Sequence, residues 1–308
     1  MISRRNIRVK VMQVLYSLDA LDGKPTQEPV KLLRKQLDAS RELFVYLLYI
    51  INNVALYAEK DAKLKASKNL PSYEDLHVNT KISGNTIVWK VLENDTYRSA
   101  LENDKPLKNE PEDQIRKIYL QLTQSETYKK YIAAEQRDKK SDTDILKFIF
   151  TDLMLPNEDF VSHIEEHYTN WDDDAEMMNL LMLNYLQKPG SYNLTDLVSQ
   201  EKWLFAKNLL NSVLEKHEYL MSLIKPKLKN WDADRIAILD MLMIQMGVSE
   251  LLYFETIPTK VTINEYIDLA KDYSTQQSGQ FINGILDNIH KELLEKGAIQ
   301  KIDFKQKA

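Results

Sequence analysis

Apolar residues recur at spacings of three and four along most of the chain, the period of an amphipathic helix. Residues 3 to 18 show it first, with Ile7, Val11, Val14, Leu15 and Leu18 on one stripe. Residues 31 to 66 read as one long helix or two shorter ones around the run L-F-V-Y-L-L-Y-I-I. Periodicity lapses over 67–88, which predicts an extended loop, and 22–31 (D-G-K-P-T-Q-E-P-V-K) predicts a linker. Helical patterns resume at about 87–103, 111–137, 142–153 and 157–186. Q-K-P-G-S-Y at 187–192 is the best boundary. Beyond it lie patterns over Leu204 to Ile224 and Ala233 to Phe254. In the second, Met241, Leu242, Ile244, Val248, Leu251 and Leu252 leave hardly a polar face, which predicts a buried central helix. The expected fold class is all-α.

Composition agrees. Seven glycines and nine prolines in 308 residues favour helices over a turn-rich sheet protein. The absence of cysteine excludes disulfides and thiolate metal sites, as a reducing cytoplasm would allow. No apolar run reaches the ~20 residues of a membrane span. The basic start M-I-S-R-R-N-I-R-V-K is not followed by the apolar core of a signal peptide. The expected location is cytoplasmic. A net charge of −5 confines any nucleic-acid contact to a local patch. Arg4, Arg5, Arg8 and Lys10 form such a patch, with no acid before Asp19. Cations at a helix start oppose the macrodipole, so their placement asks for a reason.

Other chemistry is weak. His163 and His167 are four apart, but Ile164 stands where a zinc helix of H-E-x-x-H type needs glutamate. His77 is isolated. Asp172, Asp173 and Asp174 lack the glycine of a calcium loop and are expected to cap a helix from about Ala175. N-W-D-D-D at 170–174 recurs as N-W-D-A-D at 230–234, the outline of a duplicated helical hairpin or a coincidence of two helix starts. No nucleophile–base pair or phosphate-cradling glycine loop stands out. The expectation is a non-enzyme without cofactor or metal.

The most informative stretch is P-T-K-V-T-I-N-E-Y-I-D-L-A-K-D-Y at 258–273, followed by S-T-Q-Q-S-G-Q and F-I-N-G-I-L-D. Physics predicts two packed helices with a polar junction. Thr262 and Glu265 fit a capping box for the first, although Pro258 would start it earlier. Ser274 starts the second, with Gln277 three residues on. Gly284, inside a helix at a cost of roughly 1 kcal/mol, implies a close backbone approach. The stretch resembles the C-terminal signature of the NusB family of transcription antitermination factors, including its polar positions Lys260, Asn264, Glu265, Lys271, Asn283 and Asp287. R-R-x-x-R-x-K-V-M-Q-V-L-Y near the start resembles that family's opening, and the S-E-L-L at 249–252 extends the match.

The resemblance covers about 3–18 and 204–292. It implies NusB-like helical bundles with a large helical insertion. The expected domains are 1–190, 191–296 and a tail from Gly297 that frays. The implied role is binding boxA-type RNA together with the ribosomal protein NusE, acting with RNA polymerase and other Nus factors in rRNA operon transcription. Carried over, the RNA-binding residues are Arg4, Arg5, Arg8, Lys260, Gln277, Ser278, Gln280, Phe281 and Asn283. Tyr16 and Asp240 fall on the NusE side, a face that in such proteins also serves a homodimer. Departures are Gln277, where the family often has an acid, and Gln245, where it has an arginine. The alternatives are a protein-interaction module without RNA binding, its basic start folded against acids of the insertion, and an accessory RNA-binding domain in rRNA processing.

Overall fold

The computed structural model describes residues 1–20, 28–109, 111–228 and 236–302. Among these residues all regular structure is helical, and no helix is long and apolar enough to cross a membrane. The chain forms two compact units. A middle unit comprises Met1–Ile2 and Asp38–Leu197; a split unit comprises Ser3–Leu37 and Val198–Ala308. Helix α2 (Pro29–Ala66) is unbroken, its first residues counted with the split unit and the rest with the middle one.

In the middle unit, α2 contributes an apolar run from Leu43 to Ala58 to the core. Around it come α3 (Tyr73–Leu76), α4 (Thr86–Leu92), α5 (Asp95–Asp104), α6 (Glu112–Gln124) and α7 (Glu126–Ala133). Then follow α8 (Lys139–Phe148), α9 (Glu158–His167) and α10 (Trp171–Gln187). Side-chain caps cut the sequence patterns into shorter helices. Asn94 accepts from Thr96 N and Tyr97 N and separates α4 from α5; Ser125 accepts from Tyr128 N and separates α6 from α7. Helix α8 packs on α4, α7 and α10 and runs on as a wider π turn over Ile149–Met154.

Three expectations need correction here. The stretch 67–88 is not one extended loop: it holds α3, closed by a Ser72/Asp75 capping box, a 3₁₀ turn at Lys81–Gly84, and the start of α4. The three aspartates lie inside the first turn of α10 rather than ahead of it, and Asp174 is buried, accepting from Ser40 Oγ and Asn170 Nδ2 at 2.6 Å. Pro29 to Lys31 already belong to α2; most of the linker, 22–27, lies outside the described residues, as does the second Asn-Trp-Asp copy at 230–234.

The split unit comprises α1 (Arg4–Asp19), the start of α2, α11 (Gln200–Glu215), α12 (His217–Ile224), α13 (Ile238–Tyr253), α14 (Thr259–Tyr273) and α15 (Gln276–Glu295). Helix α13 is the buried centre and packs on α1, α11, α12, α14 and α15. Gly247 permits that closeness: a Cβ there would meet both methyls of Leu286 at 2.9 Å. Gly284 does not play this part. It is exposed, with nothing within 4 Å of a Cβ placed there, so the expected close approach falls at Gly247 instead.

Two caps also differ from expectation. Helix α14 starts at Thr259 after Pro258, and Thr262 and Glu265 turn inward to other partners instead of forming a box. Helix α15 is capped by Thr275, whose side chain forms a box with Ser278, one residue past the expected Ser274. The residues after Gly297 are held rather than frayed: Ile302 N donates to Glu255 O, and Lys301 Nζ donates to the carbonyls of Glu250 and Phe254 at the end of α13. The rest of the tail, 303–308, lies outside the described residues.

Candidate nucleic-acid interface

The arginines of α1 have three different fates. Ser3 caps the helix by accepting from Asn6 N at 3.1 Å, which sets the first turn. Arg4 then reaches Glu201 at 2.5 Å and lies over the Phe205 ring. Arg5 reaches Asp272 at 2.7 Å. Both side chains stay about a third exposed, at 36% and 38%. Such pairs hold a guanidinium in place while contributing little stability in water.

Arg8, one turn further, points into the core and is 2% exposed. Its Nε and Nη2 donate to the two oxygens of fully buried Glu250 at 2.9 and 2.8 Å, and its Nη1 donates to Glu265 at 3.1 Å. Thr262 Oγ1 and Tyr266 OH complete Glu250 at 2.8 and 3.2 Å. A carboxylate buried this way needs all of these donors. Burial by itself lowers the Arg8 pKa; the Glu250 hydrogen bond and the charges of Glu250 and Glu265 outweigh it and hold the guanidinium charged. Burial, then the Glu250 charge, pushes the Tyr266 hydroxyl well above its ordinary value. Arg8 therefore has no surface from which to grip a phosphate; its place is in the fold that holds α1 to α13 and α14.

The Arg5–Asp272 pair brings the start of α1 to the end of α14, four residues before the start of α15. Gln277, Gln280 and Asn283 are exposed on α15, and Phe281 is half-buried. At about 100° per residue, Phe281 and Asn283 stand about 160° apart around the helix. They flank the exposed face from opposite sides and do not meet one base together. Ser278 is buried: its Oγ donates to Asp240 Oδ2 at 2.7 Å and accepts from Thr275 N. Asp240 is buried as well, and its Oδ1 has no hydrogen-bond partner. Lys260 is exposed at the other end of α14, roughly 18 Å along the helix from Asp272. Tyr16 is exposed near the end of α1.

The Arg5–Asp272 pair thus brings the start of α1 to the α14–α15 junction, while Arg4 lies against Glu201 and Phe205 of α11. Gln277, Gln280, Phe281 and Asn283 lie on the first two turns of α15, Lys260 lies apart, and Arg8, Ser278 and Asp240 lie inside. The sequence expectation omitted Glu201, Asp272 and Thr275, whose roles depend on partners that no local pattern reveals.

Such a split unit belongs to an all-helical protein with two cations and a row of side-chain amides at a helix junction. Residues 162–291 match the model of the NusB family. The chain is similar to proteins named "Transcription antitermination protein NusB". The one from Chloroherpeton thalassium is 38% identical over 97 residues, 32% of this chain and 46% of that protein. Those from Salinibacter ruber and Finegoldia magna are 39% identical over 97 residues and 42% over 87, spanning 32% and 28% of this chain. The match covers 61% and 64% of those proteins, so it spans less than two thirds of each of the three relatives. No solved structure matches the chain.

Proposed function

We propose that the split unit is an RNA-binding surface of a transcription antitermination factor, without catalytic role, that grips boxA-type RNA through the α1 start and the α14–α15 junction. The observation that carries this reading is the Arg5–Asp272 pair, which ties one partly exposed guanidinium at the start of α1 to the end of α14, next to the amide-bearing start of α15. Guanidinium forks suit phosphates, while amides and an aromatic edge suit unpaired bases. The three relatives, each named as a transcription antitermination protein, support the antitermination role. Arg4 and Arg5 contact phosphate; Gln277, Gln280 and Phe281 read bases, with Asn283 reaching a neighbouring nucleotide. Arg8 and Ser278 act by positioning α1 and α15. NusE docks near Tyr16, and Asp240 supports that face from within; RNA polymerase and other Nus factors follow indirectly.

A second reading, a protein-interaction module without RNA binding, has one observation in its favour: Arg4, Arg5 and Arg8 all face carboxylates. Those acids come from α11, α13 and α14 of the split unit and not from the middle unit. Binding of a boxA-type RNA across a salt series, with and without NusE, separates the two readings. Arg4→Ala/Arg5→Ala is expected to weaken binding and to lower the slope of log K against log salt by about 1.4, at ~0.7 per phosphate. NusE binding without RNA binding would favour the second reading.

A further inference from the structure

The middle unit carries a cationic surface quite unlike the compensated arginines of α1. Its centre is the 3₁₀ turn Lys81–Gly84. Three successive features seize that turn's carbonyls. Arg137 donates to Gly84 O and, at 2.7 Å, to Lys81 O. Trp89 Nε1 donates to Ser83 O at 3.0 Å. Gly84 makes room for the guanidinium, which occupies the space a Cβ would take. In return, Lys81 Nζ donates to Tyr131 O and Ala134 O at 2.7 and 2.5 Å and lies 4.8 Å from the Tyr131 ring centroid. Carbonyls fix these two cations without cancelling their charge.

Lys130 on α7 and Lys139 and Lys140 at the start of α8 are exposed and make no ion pair with a described residue. The acids of this stretch are mostly engaged. Glu126 pairs with Lys129 at 2.7 Å, Asp138 caps α8 through Ser141 N at 2.9 Å, and buried Asp142 accepts from Tyr131 OH and Thr86 Oγ1, each at 2.7 Å, while Glu135 and Asp144 are exposed. Beside these cations stands the Trp89 indole, 48% exposed and held in orientation by its bond to the turn. Phosphates fit the cations, and an exposed, pre-oriented ring offers a stacking face to an unpaired base.

We propose that the middle unit binds single-stranded RNA, with Lys81, Lys130, Arg137, Lys139 and Lys140 along the phosphates and Trp89 stacked on a base. This surface lies outside the residues that match the NusB family. Only the choice of RNA over DNA rests on the function proposed for the split unit.

The test is fluorescence anisotropy with the full chain and a labelled oligouridylate of about 12 nucleotides lacking any boxA-type sequence, within the usual site size for single strands. Salt is varied upward from about 50 mM. Lys130→Ala/Lys139→Ala/Lys140→Ala is expected to weaken binding at least about tenfold and to lower the salt slope by about 2, at ~0.7 per phosphate. Trp89→Ala is expected to weaken it about 5- to 100-fold. Trp89→Leu, which keeps apolar bulk, is expected to do the same with an unchanged circular dichroism spectrum. Unchanged affinity and slope in the lysine variant would overturn the proposal, and so would parent-like affinity in either Trp89 variant. Tighter binding of the matching oligothymidylate DNA would overturn the RNA assignment. Full displacement by polyglutamate or anionic vesicles, indifferent to Trp89, would do so as well. If only Arg4→Ala/Arg5→Ala weakens binding, this surface is rejected while the split-unit reading stands.

Discussion

Two helical glycines of the split unit show how differently one residue type can be placed. Gly247 sits where Leu286 and Tyr266 press on α13, so Gly247→Ala overpacks the core and is expected to destabilise by about 1–3 kcal/mol. Gly284 faces open space within α15, so Gly284→Ala removes a helix penalty and is expected to stabilise by up to about 1 kcal/mol. Denaturant titration of both variants checks the pair; equal effects would mean that the packing around Gly247 is misread. His163 makes a residue-scale claim about pH in the middle unit. Its Nε2 lies 2.6 Å from Tyr46 OH, the His167 ring is 4.6 Å away, and Glu166 is the charged neighbour of opposite sign. Burial first, then His167, lowers its pKa from the ordinary 6.5. The folded chain then holds fewer protons on this side chain than the unfolded chain does. Its contribution to stability is therefore full above the ordinary value and is lost as pH falls through it toward the lowered one. Melting curves from about pH 7.5 to about pH 5.5 are expected to show a shallower fall in His163→Gln than in the parent chain.

At the scale of elements, α1, α13 and α14 form one charged joint. Glu250→Gln is expected to cost about 3–5 kcal/mol, because it leaves the Arg8 guanidinium buried against a neutral amide. Adding Arg8→Met should recover part of that loss, since it removes the buried charge left without its main partner; a double variant no more stable than the single one would contradict this account. The same joint shows what the sequence could and could not reveal. Helices α1, α13, α14 and α15 were legible because an apolar stripe is a property of neighbours three and four apart. The inward turn of Arg8 was not, because its partner lies 242 positions away and nothing local distinguishes it from Arg4 and Arg5. The α15 cap was legible to within a residue: Thr275 and Ser274 are both competent, and the choice falls to whichever also lets Ser278 reach Asp240. The cuts at Asn94 and Ser125 stood in plain letters as cap residues, yet the apolar period runs through them. In the middle unit the charge run at 129–140 was equally readable, but the carbonyls that leave its cations uncompensated belong to a turn fifty residues earlier.

At the scale of the molecule, the split unit draws on Ser3–Leu37 and Val198–Ala308, with the middle unit's chain between them. The C-terminal helices alone are therefore incomplete. A fragment of residues 198–302 lacks α1, leaving Glu250 buried without its arginine and α13 without one of its packing partners. It is expected to unfold without a sharp transition, and a peptide of residues 3–20 supplied in trans should sharpen it; a cooperative fragment indifferent to the peptide would refute that dependence. The arrangement also has a consequence in time. A ribosome adds roughly 5–20 residues each second, so Arg8 emerges roughly 10–50 s before Glu250 exists. The middle unit, whose own residues run almost without interruption, can fold during that interval. The first helix meanwhile waits as a solvated cationic segment, and only the arrival of α13 and α14 lets it be taken into the interior.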